Sequence, residues 1–145
     1  MSPPTRQRPH FAISIRQPWA ALIVAGRKTI EVRSWSVDYR GPLFIHTGKK
    51  PAEEFIDRFP DIDTSFQGGL LGVADLADIQ PFTQALWSRL RSEHLVPGPM
   101  PNKAFGWRFE RPRKLLNPVP LSGQLGLFTV PDNVSALALT VDLQP

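Results

Sequence analysis

The sequence predicts an α+β fold, a small mixed β-barrel of five to six short strands with two to three peripheral helices. Three observations carry this. The 145 residues suit one hydrophobic core and leave no room for two ordinary domains. Apolar residues recur with a period of two in several short stretches, the signature of strands. The helical stretches interrupt those strands irregularly, without the regular βαβ alternation of a doubly wound sheet.

Each element has a local reason. Residues 1–8 hold Pro3, Pro4, Arg6 and Arg8 and read as a disordered basic tail. "HFAISIRQ" alternates Phe11, Ile13 and Ile15 with Ala12, Ser14 and Arg16, which predicts a strand. Pro18 then stands where a helix begins, and "PWAALIVAG" closes at Gly26, a natural C-terminal cap. "GRKTIEVRSW" (26–35) reads as the next strand, and "YRGPLFIHTGKK" as another after a turn at Gly41-Pro42.

"PAEEFIDRF" predicts a brief helix whose glutamates suit its N-terminal dipole. "LLGVADLADIQ" is a long strand in which Gly72 marks a bulge or a close backbone approach. "PFTQALWSRLRSEH" predicts one helix with Phe82, Ala85, Leu86 and Leu90 on its apolar face. "LVPGPMPNK" is a loop. "AFGWRFERPRKLL" resumes as a strand that Pro112 limits, and "GLFTV" is a last short strand. One folded domain over 9–131 and a C-terminal tail over 132–145 follow.

Composition narrows the function classes. Hydrophobic residues at 41% and charged ones at 21% describe a globular chain. Cysteine is absent, so disulfides and thiolate metal sites are excluded, and a reducing cytoplasm is compatible. His10, His46 and His94 lack paired spacing, and no metal or other cofactor is expected. No apolar run approaches the roughly 20 residues that span a bilayer, so the expectation is a cytoplasmic monomer without a membrane partner. Residues 1–50 carry nine Lys/Arg against Glu31 and Asp38, whereas residues 51–100 carry three against eight acidic residues. That polarity predicts a positive face able to meet phosphates.

Six motifs in order then carry a family resemblance: "QPWA" (17–20), "GRKTIEVRSW" (26–35), "YRG" with "IH" (39–46), "GGLLGVADLADI" (68–79), "FGWRF" (105–109) and "GQLGLF" (123–128). Together they resemble the ASCH domain, which shares a barrel with the PUA domains of RNA-modifying proteins. The resemblance implies a PUA-like (ASCH) barrel with a cleft beside the early helix, where nucleic acid or a nucleotide-like ligand binds. Members include a module of a eukaryotic transcriptional coactivator, small bacterial hydrolases of N4-acetylcytidine, and a ribonuclease. Family membership therefore leaves binding and catalysis both open.

The residues themselves point to a basic cleft. Thr29, Glu31, Arg33 and Trp35 share one face of their strand. Arg33 can grip a phosphate or pair with Glu31, Trp35 can stack on a base, and Glu31 can accept from an amino group on a base edge. Gln17, Pro18 and Trp19 stand at a strand-to-helix turn, where free backbone N–H groups attract anions and an amide can read a base. Lys28, Arg40, Lys49 and Lys50 are candidate phosphate contacts, and His46 is a further site candidate. The leading expectation is a nucleic-acid-binding protein, with RNA ahead of DNA. The alternative is a small hydrolase acting on a modified cytidine or on RNA through Lys28 and Glu31. In the acetylcytidine hydrolases that this sequence resembles, a threonine follows the lysine as nucleophile. Its place here is taken by Glu31, and Thr29 lies two residues away.

Overall fold

The computed structural model of the chain describes residues 8–139 and the backbone of residues 143–144. The basic tail expected over residues 1–8 lies, up to residue 7, outside the described residues. The strands are β1 (Phe11–Ser14), β2 (Ile30–Arg33), β3 (Gly41–Thr47), β4 (Gly69–Pro81), β5 (Phe105–Pro120), β6 (Leu127–Thr129) and β7 (Leu143–Gln144). The helices are α1 (Trp19–Val24), α2 (Glu53–Ile56), α3 (Gln84–Arg89), α4 (Arg91–His94) and α5 (Asp132–Leu139). All strands join one mixed sheet in the order β2-β5-β4-β3-β1-β6, with β7 also on β5. Only the β1–β3 pair is parallel among these ladders.

Register shifts bend this sheet toward a barrel without closing it. They fall at Ile45/His46 in the β3–β4 ladder and at three places between β4 and β5. Each inserted residue adds local twist and bend. Gly72 sits at one shift, and a Cβ there would lie 2.5 Å from the Arg113 carbonyl oxygen and 2.8 Å from Val24. The bulge and the close approach expected at Gly72 are therefore the same feature.

Both sheet faces are covered in the middle strands. Ile13, Leu22, Ile45, Leu76 and Trp107 form a core beneath α1, while Ala12, Phe44, Val73, Leu115 and Phe128 form a second core on the other face. Two-sided burial explains why Leu43, Phe44 and Ile45 run on without polar alternation. α1 is apolar throughout because all six of its residues are buried. Gly26 follows it at φ 81°, and its N–H bonds the Ile23 carbonyl at 3.0 Å, the left-handed cap expected there.

Several expectations need correction. The helix predicted over 81–94 is two short helices, and its buried side chains are Trp87 and His94, whereas Ala85 is exposed. A cap explains its start: the Thr83 hydroxyl accepts from the Leu86 N–H at 3.1 Å. The break follows Leu90, which caps both helices. β5 runs through Pro112 to Pro120, because the ladder skips from Asp75↔Glu110 to Val73↔Arg113 and needs no N–H from Pro112. The segment after Pro131, expected as a tail, forms α5, whose Ser135 and Ala138 are buried.

Candidate functional site

β2, the end of β1, the start of α1 and a loop before β6 enclose a cleft of about 470 Å³. Its walls are Ser14, Arg16, Trp19, the run Glu31 to Trp35, and Gln124 to Gly126. The volume falls within the 300–1,000 Å³ common for small-ligand sites.

Backbone bonds after α1 set up the charged wall. The N–H groups of Arg27 and Lys28 both reach the Leu22 carbonyl, at 3.0 and 3.1 Å, and this turn sends Lys28 inward. The Lys28 side chain is fully buried. Its Nζ donates to the His94 carbonyl, lies 3.6 Å from Glu31 Oε1, and stands 4.8 Å from the Trp19 ring centroid. Burial pushes its pKa down to about 8, outweighing the upward pull of the Glu31 carboxylate.

Glu31 bridges this lysine to Arg33. Arg33 Nε donates to Glu31 Oε2 at 3.1 Å, and Arg33 Nη2 donates to the Ser14 carbonyl at 2.6 Å. One charged chain thus ties the exit of α1 to β2 and then to β1. Cross-strand pairing with β5 holds it in register, Glu31 opposite Trp107 and Arg33 opposite Phe105. Trp35 is half-buried. Its ring meets Trp107 edge-on at 4.8 Å, and Trp107 Nε1 donates to the Trp35 carbonyl at 3.1 Å. The core tryptophan therefore positions Trp35 at the cleft wall.

The structure brings Trp19, Glu31, Arg33 and Trp35 together, with Lys28 sealed behind Glu31. Other candidates lie elsewhere. Gln17 is buried; its Oε1 accepts from the Ala21 N–H at 3.0 Å and its Nε2 donates to the Phe66 carbonyl at 3.1 Å. Both ends of the amide are thus used in holding α1, and a free N–H of the helix start is covered. Pro18 is the N-terminal cap residue of that six-residue helix and is buried. Arg40 donates to the Val37 and Tyr39 carbonyls, both at 2.8 Å, and so braces its own loop.

His46 is buried behind the cleft, with Nδ1 2.9 Å from Ser14 Oγ and Nε2 2.7 Å from the Leu121 carbonyl. Lys49 and Lys50 are exposed, and Lys49 lines a separate open hollow with Gly68 and Leu121. Thr29 donates to Glu93 at 3.2 Å and does not line the cleft. The expected positive face is dispersed: Arg27 is paired with Asp61 at 2.6 Å, Lys28 is buried, and the cleft itself holds Arg16 and Arg33.

Sequence reasoning missed Ser14, Arg16 and the loop Gln124–Gly126 as site residues. Only the loop had left a signal, inside "GQLGLF". Its Leu125 is almost entirely exposed at the cleft mouth.

A family model described as the ASCH domain matches residues 13–119 of this chain. The chain belongs to the ASCH domain family. Activating signal cointegrator 1 of Mus musculus and that of Homo sapiens are each 37% identical over 81 residues, covering 47% of this chain. The match spans 14% of those relatives' length. The solved structure of ASCH from Zymomonas mobilis superposes with a TM-score of 0.66 at 17% identity, over 92% of this chain and 96% of that one. A single-residue mutant of that protein superposes at 0.64 and 16%, over 94% and 98%. At such identities these structures speak for the fold, and they agree with a PUA-like ASCH barrel. Among the described residues, no helix is long and apolar enough to cross a membrane.

Proposed function

We propose that this ASCH domain binds single-stranded or structured nucleic acid, RNA in preference to DNA, and holds one base in the cleft beside β2. The observation that carries the reading is the placement of Trp35 next to Arg33, a stacking surface beside a fork of donors already oriented by Glu31. Trp35 supplies a face for a base, worth about 1–3 kcal/mol in single-strand binders. Arg16 is exposed at the rim and meets the backbone phosphates. Glu31 is an acceptor for an amino group on the base edge.

Titration with an oligoribonucleotide at low salt, followed by tryptophan fluorescence, tests the reading. Binding should weaken as salt rises, because phosphate contacts release counterions. Trp35→Ala should weaken it by about five- to 150-fold while the fold persists. Arg33→Ala should weaken it as well, with a shallower salt dependence. No fluorescence change at low salt would overturn the proposal.

A second reading, hydrolysis of a modified cytidine or of RNA, draws support from Lys28. A buried lysine with its pKa near 8 beside a carboxylate is suited to proton transfer. Against it, the lysine stands behind Glu31 and is committed to the His94 carbonyl. Mass spectrometry of N4-acylated cytidines and RNA after incubation would reveal turnover, which Lys28→Ala and Glu31→Gln should each abolish.

A further inference from the structure

Ser14 ends β1, lines the cleft, and carries a hydroxyl whose direction the protein controls. The control begins at Leu121, whose carbonyl oxygen can only accept. His46 Nε2, 2.7 Å away, must therefore carry a hydrogen and donate it. The imidazole is fully buried, and burial lowers its pKa below the ordinary histidine value, so the ring is neutral. A neutral ring with hydrogen on Nε2 has a bare Nδ1. That nitrogen lies 2.9 Å from Ser14 Oγ, so the serine hydroxyl must donate to it.

The consequence is chemical. With its single hydrogen committed to His46, Ser14 Oγ offers only lone pairs to anything else. Surrounding groups hold the arrangement. The Phe128 ring meets the imidazole edge-on at 5.5 Å, and Arg33 fixes the Ser14 backbone through the carbonyl. Gly123 passes directly over the pair. A Cβ there would stand 2.6 Å from His46 Cε1 and 3.3 Å from Ser14 Oγ. The absence of a side chain at 123 leaves room for the ring and the hydroxyl bonded to it.

We propose that Ser14 is a specificity residue of the cleft, locked as an acceptor by the relay from Leu121 through His46, and that it receives an O–H or N–H from the bound nucleotide. The proposal rests on the nucleic-acid reading above and deepens it. Two donors fit: the ribose 2′-hydroxyl, which would supply the preference for RNA, and a base N–H or amino group. A group that only accepts is disfavoured, because it would face the serine lone pairs.

Three probes tell the two donors apart: a mixed-sequence oligoribonucleotide, the same strand with every 2′-hydroxyl methylated, and the same strand with its base N–H groups methylated. The wild-type protein should bind one methylated strand roughly three- to tenfold more weakly than the parent, the range a single neutral hydrogen bond supports. Ser14→Ala should lose that preference. Which strand is weakened tells sugar from base. Parent binding with no preference in the wild type overturns the inference and leaves the cleft reading standing, as does a preference that survives Ser14→Ala. No binding of the parent overturns the cleft reading and the inference with it. A second measurement needs no variant: nitrogen-15 spectra of His46 in the wild-type protein should show a protonated Nε2 and a bare Nδ1. The opposite tautomer overturns the relay.

Discussion

Replacing Lys28 with methionine removes one buried ammonium while keeping nearly the same length of apolar stem. The fold holds that ammonium at a cost, since burial lowers the pKa from 10.5 to about 8. At about 1.4 kcal/mol for each factor of ten in proton affinity, the charged lysine costs about 3 kcal/mol relative to the unfolded chain. Below pH 8 both states are protonated and the full cost is present. Between pH 8 and 10.5 the native state releases its proton first, so the unfolded state binds more protons and stability rises with pH. From pH 7 to 9.5 the gain is about 2 kcal/mol. Urea denaturation at the two pH values measures it, as a midpoint rise on the order of 1 M. Staying at or below pH 9.5 avoids Tyr39, whose pKa burial raises and whose stabilisation is lost as pH climbs past the ordinary tyrosine value. Lys28→Met should lack the rise. An equal pH response in the two proteins would refute the reasoning, because the burial cost would then lie elsewhere.

Two further substitutions separate structural from ligand-facing groups. Gln17→Met should lower stability by about 1–3 kcal/mol, since it strands the Ala21 N–H and the Phe66 carbonyl; oligonucleotide affinity at a temperature where the variant is folded should stay within about twofold of wild type. Gly123→Ala should lower the thermal midpoint, because its Cβ would stand 2.6 Å from His46 Cε1 and the loop or the ring must shift; an unchanged midpoint would mean the loop moves freely.

Local patterns made much of the fold legible. The strand periods of β1, β2 and β4, the left-handed cap at Gly26 and the tight passage at Gly72 all arise from contacts within a few residues or from the presence of a glycine. Glu31, Arg33 and Trp35 could be placed together because a strand puts alternate residues on one face. The α3–α4 region misled for a related reason: a helical period assumes an unbroken helix, and the chain breaks after Leu90.

Charge was the least readable property. A basic stretch of sequence predicts a basic surface only if its side chains stay in solvent. Here Arg27 finds Asp61 and Lys28 goes into the interior.

The succession of β1 to β6, the family motifs and the shared side of Glu31, Arg33 and Trp35 were therefore written in the residues themselves. The partners of the buried polar groups were not. Lys28 meets the His94 carbonyl across 66 positions, His46 meets that of Leu121 across 75, and Arg33 meets that of Ser14 across 19. A buried donor must find an acceptor, but any carbonyl can serve, so side-chain identity does not name the partner. Folding chose those carbonyls by bending the sheet, and with them it decided which polar groups are sealed inside and which face the cleft.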